Sequence, residues 1–219
     1  MARTLLFLVV EEAFPNMSVG CDQFVYFDKD DPKRCLAPDL FVKTDTHVAD
    51  FDSWKTWELG TPQLAVEVVS DWDRLKLTWE EKFERYEALG IRELVRFDAR
   101  AKQSITVWDR VGNALVKRAV TALHASECRT LELHWTIELS AEFGKQLRLS
   151  RDRAGKELLA TPSEKALELA QQLADERHAR ADAEHARMLA EQKQREAEVA
   201  YAAALREIDR LRIMLKRQR

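Results

Sequence analysis

Apolar residues come in short blocks as far as about residue 145, and beyond about residue 160 the chain turns to alanine, glutamate, glutamine and arginine. The first block, Thr4-Leu-Leu-Phe-Leu-Val-Val10, is closed by Glu11 and Glu12 and followed by Pro15-Asn16, which predicts the end of a core helix over residues 4–13. A strand is expected over 23–27, a turn at Asp28-Lys-Asp-Asp-Pro32, and a second strand from Cys35 to Val42. The polar stretch carrying Asp45, Asp50 and Asp52 past Trp54 and Trp57 to Gly60-Thr-Pro62 predicts a surface loop or short helix. Leu64 to Val69 is short, rich in β-branched residues and bounded by turn residues, so it predicts a buried strand. Leu64, Val66 and Val68 share one face of it, and Ala65, Glu67 and Val69 the other.

Thr78-Trp-Glu-Glu81 has the capping-box pattern and opens a helix that runs to Leu89, where Gly90 suits a left-handed stop. Trp79, Phe83 and Tyr86 form an apolar stripe on it, which reads as core packing. At about 100° per residue Lys82 falls at the margin of that stripe, its stem covered and its ammonium free to reach past the sheet edge. Leu94 to Phe97 predicts a strand ending at Asp98, residues 104–108 and 114–120 a hairpin about Gly112-Asn113, and Leu131 to Trp135 a final strand. The class is α/β, a mixed sheet flanked by helices.

Thr161-Pro-Ser-Glu164 starts a new helix, and no proline or glycine follows from Ser163 to Arg219. Tyr201, Ala204, Ile208, Leu211 and Leu215 step by threes and fours as a coiled-coil seam does, but the same register places Gln194, Arg187 and Arg180 inside further upstream. Pairs such as Glu176 with Arg180 and Glu191 with Arg195 support a helix, and its last turns are a candidate for self-association into a homo-oligomer.

All six tryptophans precede residue 145, and Tyr201 is the sole aromatic of the tail. The expected organisation is a packed domain over residues 1–145, a linker over 146–160 and a helical tail over 161–219. A net charge of -3 gives no overall footprint for nucleic acid, although an enzyme can concentrate positive charge in one groove. Cys21, Cys35 and Cys128 are widely spaced and odd in number, which fits a reducing cytoplasm better than a disulfide framework. The opening apolar run is too short, and lacks the small-residue cleavage site, for a signal peptide, and no run reaches the length of a membrane span.

The chemistry centres on Glu67, an acid inside the run Gln63-Leu-Ala-Val-Glu-Val-Val-Ser70. An ionised carboxylate in a buried strand needs a metal, a lysine or a substrate beside it. Asp39 follows Pro38 and opens the apolar segment Leu40-Phe41-Val42, and Lys82 lies on the helix after Glu67. Two strand-borne acids and a lysine are the parts that hold a divalent cation against a phosphodiester and offset the charge that builds on it. The plainer alternatives are that Asp39 begins a strand or turn and that Glu67 and Lys82 form a structural ion pair. Asp71 and Asp73 read as residues that cap or precede the helix, and Asp98 as a strand-ending turn residue. The five histidines show no metalloprotease spacing, and Trp54, Trp57, Trp72 and Trp79 read as packing residues before base-stacking ones.

Leu36-Ala-Pro-Asp-Leu-Phe-Val42, Leu64-Ala-Val-Glu-Val-Val-Ser70, Lys82-Phe-Glu-Arg-Tyr86 before Leu89-Gly-Ile91, and Glu93-Leu-Val-Arg-Phe-Asp98, in that order, resemble the Uma-type restriction endonuclease family of the PD-(D/E)XK phosphodiesterase superfamily. The resemblance spans about residues 5–140. It implies a restriction-endonuclease-like core, Asp39 and Glu67 as ligands of Mg²⁺ or Mn²⁺ with the Val68 carbonyl beside them, and DNA as substrate. The superfamily's usual lysine position is Val69 here, and Lys82 matches the Uma-type position on the following helix. It further implies that the family's opening hairpin and the first half of its first helix have no counterpart, so that neither Glu11 nor Glu12 is expected as a ligand.

The sequence therefore supports a Mg²⁺-dependent endonuclease. It leaves two rivals open: a catalytically inactive nuclease-like module that assembles through its tail, and a nucleic-acid-binding module without catalysis.

Overall fold

Pro15 and Asn16 end the opening helix α1 (Ala2–Ala13), and the chain turns at once into strand β1 (Ser18–Gly20), three residues too short to show a periodicity. The computed structural model describes residues 2–69, 77–119, 122, 124–140 and 144–217. Strands β2 (Phe24–Tyr26), β3 (Cys35–Leu36), β4 (Leu40–Lys43) and β5 (Ser53–Lys55) follow, then the one-turn helix α2 (Thr56–Leu59), β6 (Leu64–Val68) and α3 (Trp79–Leu89). Next come β7 (Glu93–Phe97), β8 (Ile105–Val111), β9 (Ala114–Lys117), β10 (Ala125–Cys128), β11 (Leu133–Ser140) and β12 (Gly144–Ser150). The helix α4 (Pro162–Arg217) closes the chain.

The main sheet has the order β1-β4-β6-β7-β8-β9. Only β6 and β7 run parallel in it, because α3 carries the chain back across the sheet between them. The apolar alternation of β6 divides the interior as its sequence predicts. Leu64, Val66 and Val68 pack with Leu6, Val9 and Val10 of α1 and with Trp135, Leu147 and Leu149 of the small sheet β10-β11-β12. Ala65 faces the other core with Phe41, Leu94, Tyr86, Leu89 and Trp54, under α3 and the sheet β3-β2-β5. Each fully buried side chain of this kind contributes about 1.5–3 kcal/mol. The α3 ends are as read: Thr78 caps Glu81 and receives its carboxylate in return, and Gly90 is left-handed at φ 86°.

Three expectations change. The strand expected from Cys35 to Val42 is two strands in different sheets, because Pro38 has no N–H to continue a ladder. The stretch around Trp54 holds the expected short helix, α2, but also β5, which pairs in parallel with β2, and Trp54 is fully buried with its Nε1 donating to the Gly60 carbonyl at 2.8 Å. It has no face left for a base. Residues 146–160, expected as a linker, supply most of β12 and the buried Leu159, so the compact unit runs to Pro162. Asp71, Trp72 and Asp73 lie outside the described residues.

Ser163–Arg219 forms the second unit and contains all of α4 but its first residue, the helix being continuous over 56 residues, about 84 Å at 1.5 Å per residue. Its charged pairs include Arg187 with Glu191 at 3.1 Å, one turn apart.

Candidate active site

Asp39 and Glu67 meet because β4 and β6 are antiparallel neighbours. Their register pairs Leu40 with Val66, so one residue further on Asp39 stands beside Glu67, on the face covered by α3. The proline that ends β3 frees this position, and the Asp39 carboxylate accepts the Val68 N–H through Oδ2 at 2.7 Å. That bond fixes the acid at the sheet end. Only 8% of Asp39 and 4% of Glu67 is exposed.

Helix α3 supplies the next two groups from one of its faces. Lys82 Nζ donates to Glu67 Oε2 at 2.8 Å, and Tyr86, one turn further along, donates its hydroxyl to Oε1 at 2.5 Å. Helix α1 supplies the last: Arg3 donates to Asp39 Oδ1 from Nη1 at 3.2 Å and pairs through Nε with Asp22 at 3.1 Å. The structure thus brings together all three residues named from the sequence, Asp39, Glu67 and Lys82, and adds Tyr86 and Arg3. Tyr86 was legible only as part of an apolar stripe. Arg3, a lone arginine ahead of an apolar run, carried no signal at all. Glu11 and Glu12 are exposed on α1, and Asp98 is tied into a turn by the Arg100 N–H at 3.0 Å.

Burial pushes both carboxylates above their ordinary values. For Glu67 the Lys82 charge and the bonds from Lys82 and Tyr86 oppose that rise without cancelling it. For Asp39 the Val68 amide and Arg3 oppose it, again incompletely. Burial and the Glu67 charge push the Tyr86 hydroxyl far upward, so it stays protonated as a donor. Each acid already has one cationic partner, Arg3 or Lys82, so the rise comes from burial and not from a missing charge.

Glu93 is the instructive contrast. It is 1% exposed, yet its oxygens accept from Thr130 N at 2.8 Å, Thr130 Oγ1 at 2.7 Å and Arg118 Nη2 at 3.0 Å. It ties the start of β7 to Arg118 and to the main chain and side chain of Thr130, which is a structural use. Among the described residues no three His, Cys, Asp or Glu side chains gather into a metal cluster. The donors at Asp39 and Glu67 are two carboxylates, hard oxygens in the number that Mg²⁺ takes from a protein when water and phosphate complete its shell. The donor set fits such an ion.

The sequence of residues 2–150 matches the model of the Uma2 family, described as "Putative restriction endonuclease". The chain belongs to that family. Residues 39, 67 and 82 all lie within the part that Uma2 covers. Among solved structures, the chain is similar to a crystal structure from Anabaena variabilis described as a "putative nuclease", at 12% identity and a TM-score of 0.38. That match covers 49% of this chain and 60% of the other, so the Uma2 chain described here spans under two thirds of that protein's length. No curated protein matches the sequence. Among the described residues no helix is long and apolar enough to cross a membrane.

Proposed function

We propose that the chain is a Mg²⁺- or Mn²⁺-dependent endonuclease that hydrolyses phosphodiester bonds of DNA at Asp39, Glu67 and Lys82. The observation that carries this reading is the pair of buried carboxylates at adjoining positions of neighbouring chain segments, Asp39 just before β4 and Glu67 in β6, with the Lys82 ammonium on Glu67. Membership of Uma2 points the same way.

Asp39 and Glu67 would hold the ion, with the Val68 carbonyl as a third donor. A bound divalent cation supplies Lewis-acid polarisation of a phosphoryl oxygen and a more acidic water. Asp39 is aimed by the Val68 amide, and Glu67 by Tyr86. Lys82 holds its ammonium at Glu67 and presents positive charge to the oxygens on which charge builds as the phosphodiester is attacked. The free thiols of Cys21, Cys35 and Cys128 suit a reducing cytoplasm.

The test is cleavage of supercoiled and linear DNA with Mg²⁺ or Mn²⁺ by the wild type and by Glu67→Gln. Metal-dependent cleavage that the substitution abolishes, in a variant that still folds, supports the reading. Equal cleavage by both proteins removes these residues from the chemistry.

A second reading is an inactive module that assembles through its tail. It is favoured by the apolar positions that α4 leaves in solvent, among them Leu173, Leu189, Tyr201, Leu205 and Ile208. Their stepping in the last turns fits a second copy of the same helix. Light scattering of the full chain against a chain ending at Thr161 tests this. An oligomer lost with the tail, together with no metal-dependent cleavage, favours assembly over catalysis.

A further inference from the structure

One half-buried cation, Arg96, stands next to the acid pair with few partners among the described residues. Strands β6 and β7 are parallel with Glu67 directly beside Arg96, so both side chains rise from the sheet toward α3. The Arg96 guanidinium lies 5.0 Å from the ring centroid of Trp79, the residue that opens α3, which backs it with an aromatic face. Its ion pair with Asp98 is long, at 3.9 Å. Its Nε is buried and has no hydrogen-bond partner among the described residues.

Packing does not call for an arginine there. Leu94, which shares this face of β7, is wholly buried among apolar neighbours. Arg118 shows how this fold treats a cation that it uses structurally, with bonds to Asp109, Glu93 and Ser126. Arg96 instead has, among the described residues, only the long pair with Asp98 and the Trp79 ring beside its guanidinium, and its side chain is 30% exposed. A guanidinium over an aromatic ring, with an Nε–H that has no partner among the described residues, is matched by a phosphate, which accepts two parallel N–H bonds.

We propose that Arg96 is a phosphate-binding residue of this site and takes a backbone phosphate of the nucleic acid next to the one cleaved. This rests on the nuclease reading. It adds a contact that the acid pair and Lys82 do not supply, because Glu67 already engages Lys82 while Arg96 stands one strand further into the sheet. Trp79 acts as the positioning residue that keeps the guanidinium from folding away.

The experiment is a salt series of binding to a labelled DNA duplex, with the full chain and with Ca²⁺ in place of Mg²⁺, for wild type, Arg96→Met and Arg96→Gln. Methionine keeps the apolar stem against Trp79 and removes the charge, and glutamine gives the same reading should methionine disturb folding. Loss of one phosphate contact lowers the slope of log K against log salt by about 0.9. The expected result is that drop together with weaker binding and an unchanged far-ultraviolet spectrum. Folded variants that bind with the wild-type affinity and slope overturn the role of Arg96 and leave the nuclease reading standing. A wild type with no salt-dependent binding to the duplex overturns both.

Discussion

Tyr86 donates its hydroxyl to Oε1 of Glu67 at 2.5 Å, so an aromatic residue of the α3 core stripe also orients the buried acid of β6. Because Lys82 takes the other oxygen, a single helix face fixes both ends of the carboxylate. Outer groups that orient a metal ligand are worth about 10–100-fold in affinity or activity. Tyr86→Phe removes one hydroxyl and leaves the ring packing intact. It is expected to lower metal-dependent cleavage by an amount in that range, with little change in unfolding temperature. Wild-type kinetics in that variant would remove Tyr86 from the site.

Lys82→Met separates charge stabilisation from metal binding. The ammonium donates to Glu67 Oε2, whereas the proposed ion would take its donors from Asp39, Glu67 and the Val68 carbonyl. Cleavage is expected to fall by about 10²–10³, the usual worth of a group aimed at developing charge, while calorimetric Mg²⁺ binding persists. A parallel loss of both would make Lys82 a structural partner of Glu67.

The pH dependence has a definite sign. Burial raises the folded-state values of Asp39 and Glu67, against the opposing effects of Arg3, Lys82, Tyr86 and the Val68 amide. A raised carboxylate means that the native state binds more protons than the unfolded chain, so the stability these groups contribute is lost as pH rises through their folded values. A divalent cation held by these acids, as proposed, would require the ionised pair and would act in the opposite direction. The thermal shift caused by Mg²⁺ is therefore expected to grow as pH rises above the ordinary carboxylate range and then level off. A shift that is equal in acid and at neutral pH would contradict a site made of these two acids.

Glu93 tests the distinction between the two kinds of buried acid. Its removal takes one of two acids from Arg118, which keeps Asp109, and leaves the Thr130 amide without its acceptor at the start of β7. Breaking such a buried pair costs about 3–5 kcal/mol. Glu93→Ala is expected to destabilise the fold on that scale in denaturant unfolding, whereas Asp39→Asn is expected to abolish Mg²⁺ binding with far less effect on stability. The reverse ranking would mean that the roles of the two acids are interchanged.

The main elements around the site were legible because each rests on a local rule. The capping box at Thr78 and Glu81, the stop at Gly90 and the alternation of Leu64–Val68 depend on neighbours in sequence, and together they place Lys82 and Glu67. What stayed hidden depends on pairing at a distance. Tyr86 reads as one more apolar position until α3 is laid over β6, and Arg3 acquires a role only when α1 reaches Asp39. In the same way β5 is three residues long and exists because β2 lies beside it, and β12 follows a register set by β11. The break of Cys35–Val42 into two strands was within reach, since Pro38 stands at the break.

The most direct measurement of the central claim is calorimetric titration of Mg²⁺ into the wild type and into Glu67→Gln. If Asp39 and Glu67 hold the ion, the wild type gives a saturable heat and the folded variant gives none. Equal binding by both, or no binding to a folded wild type, contradicts the assignment of these two carboxylates as a metal site.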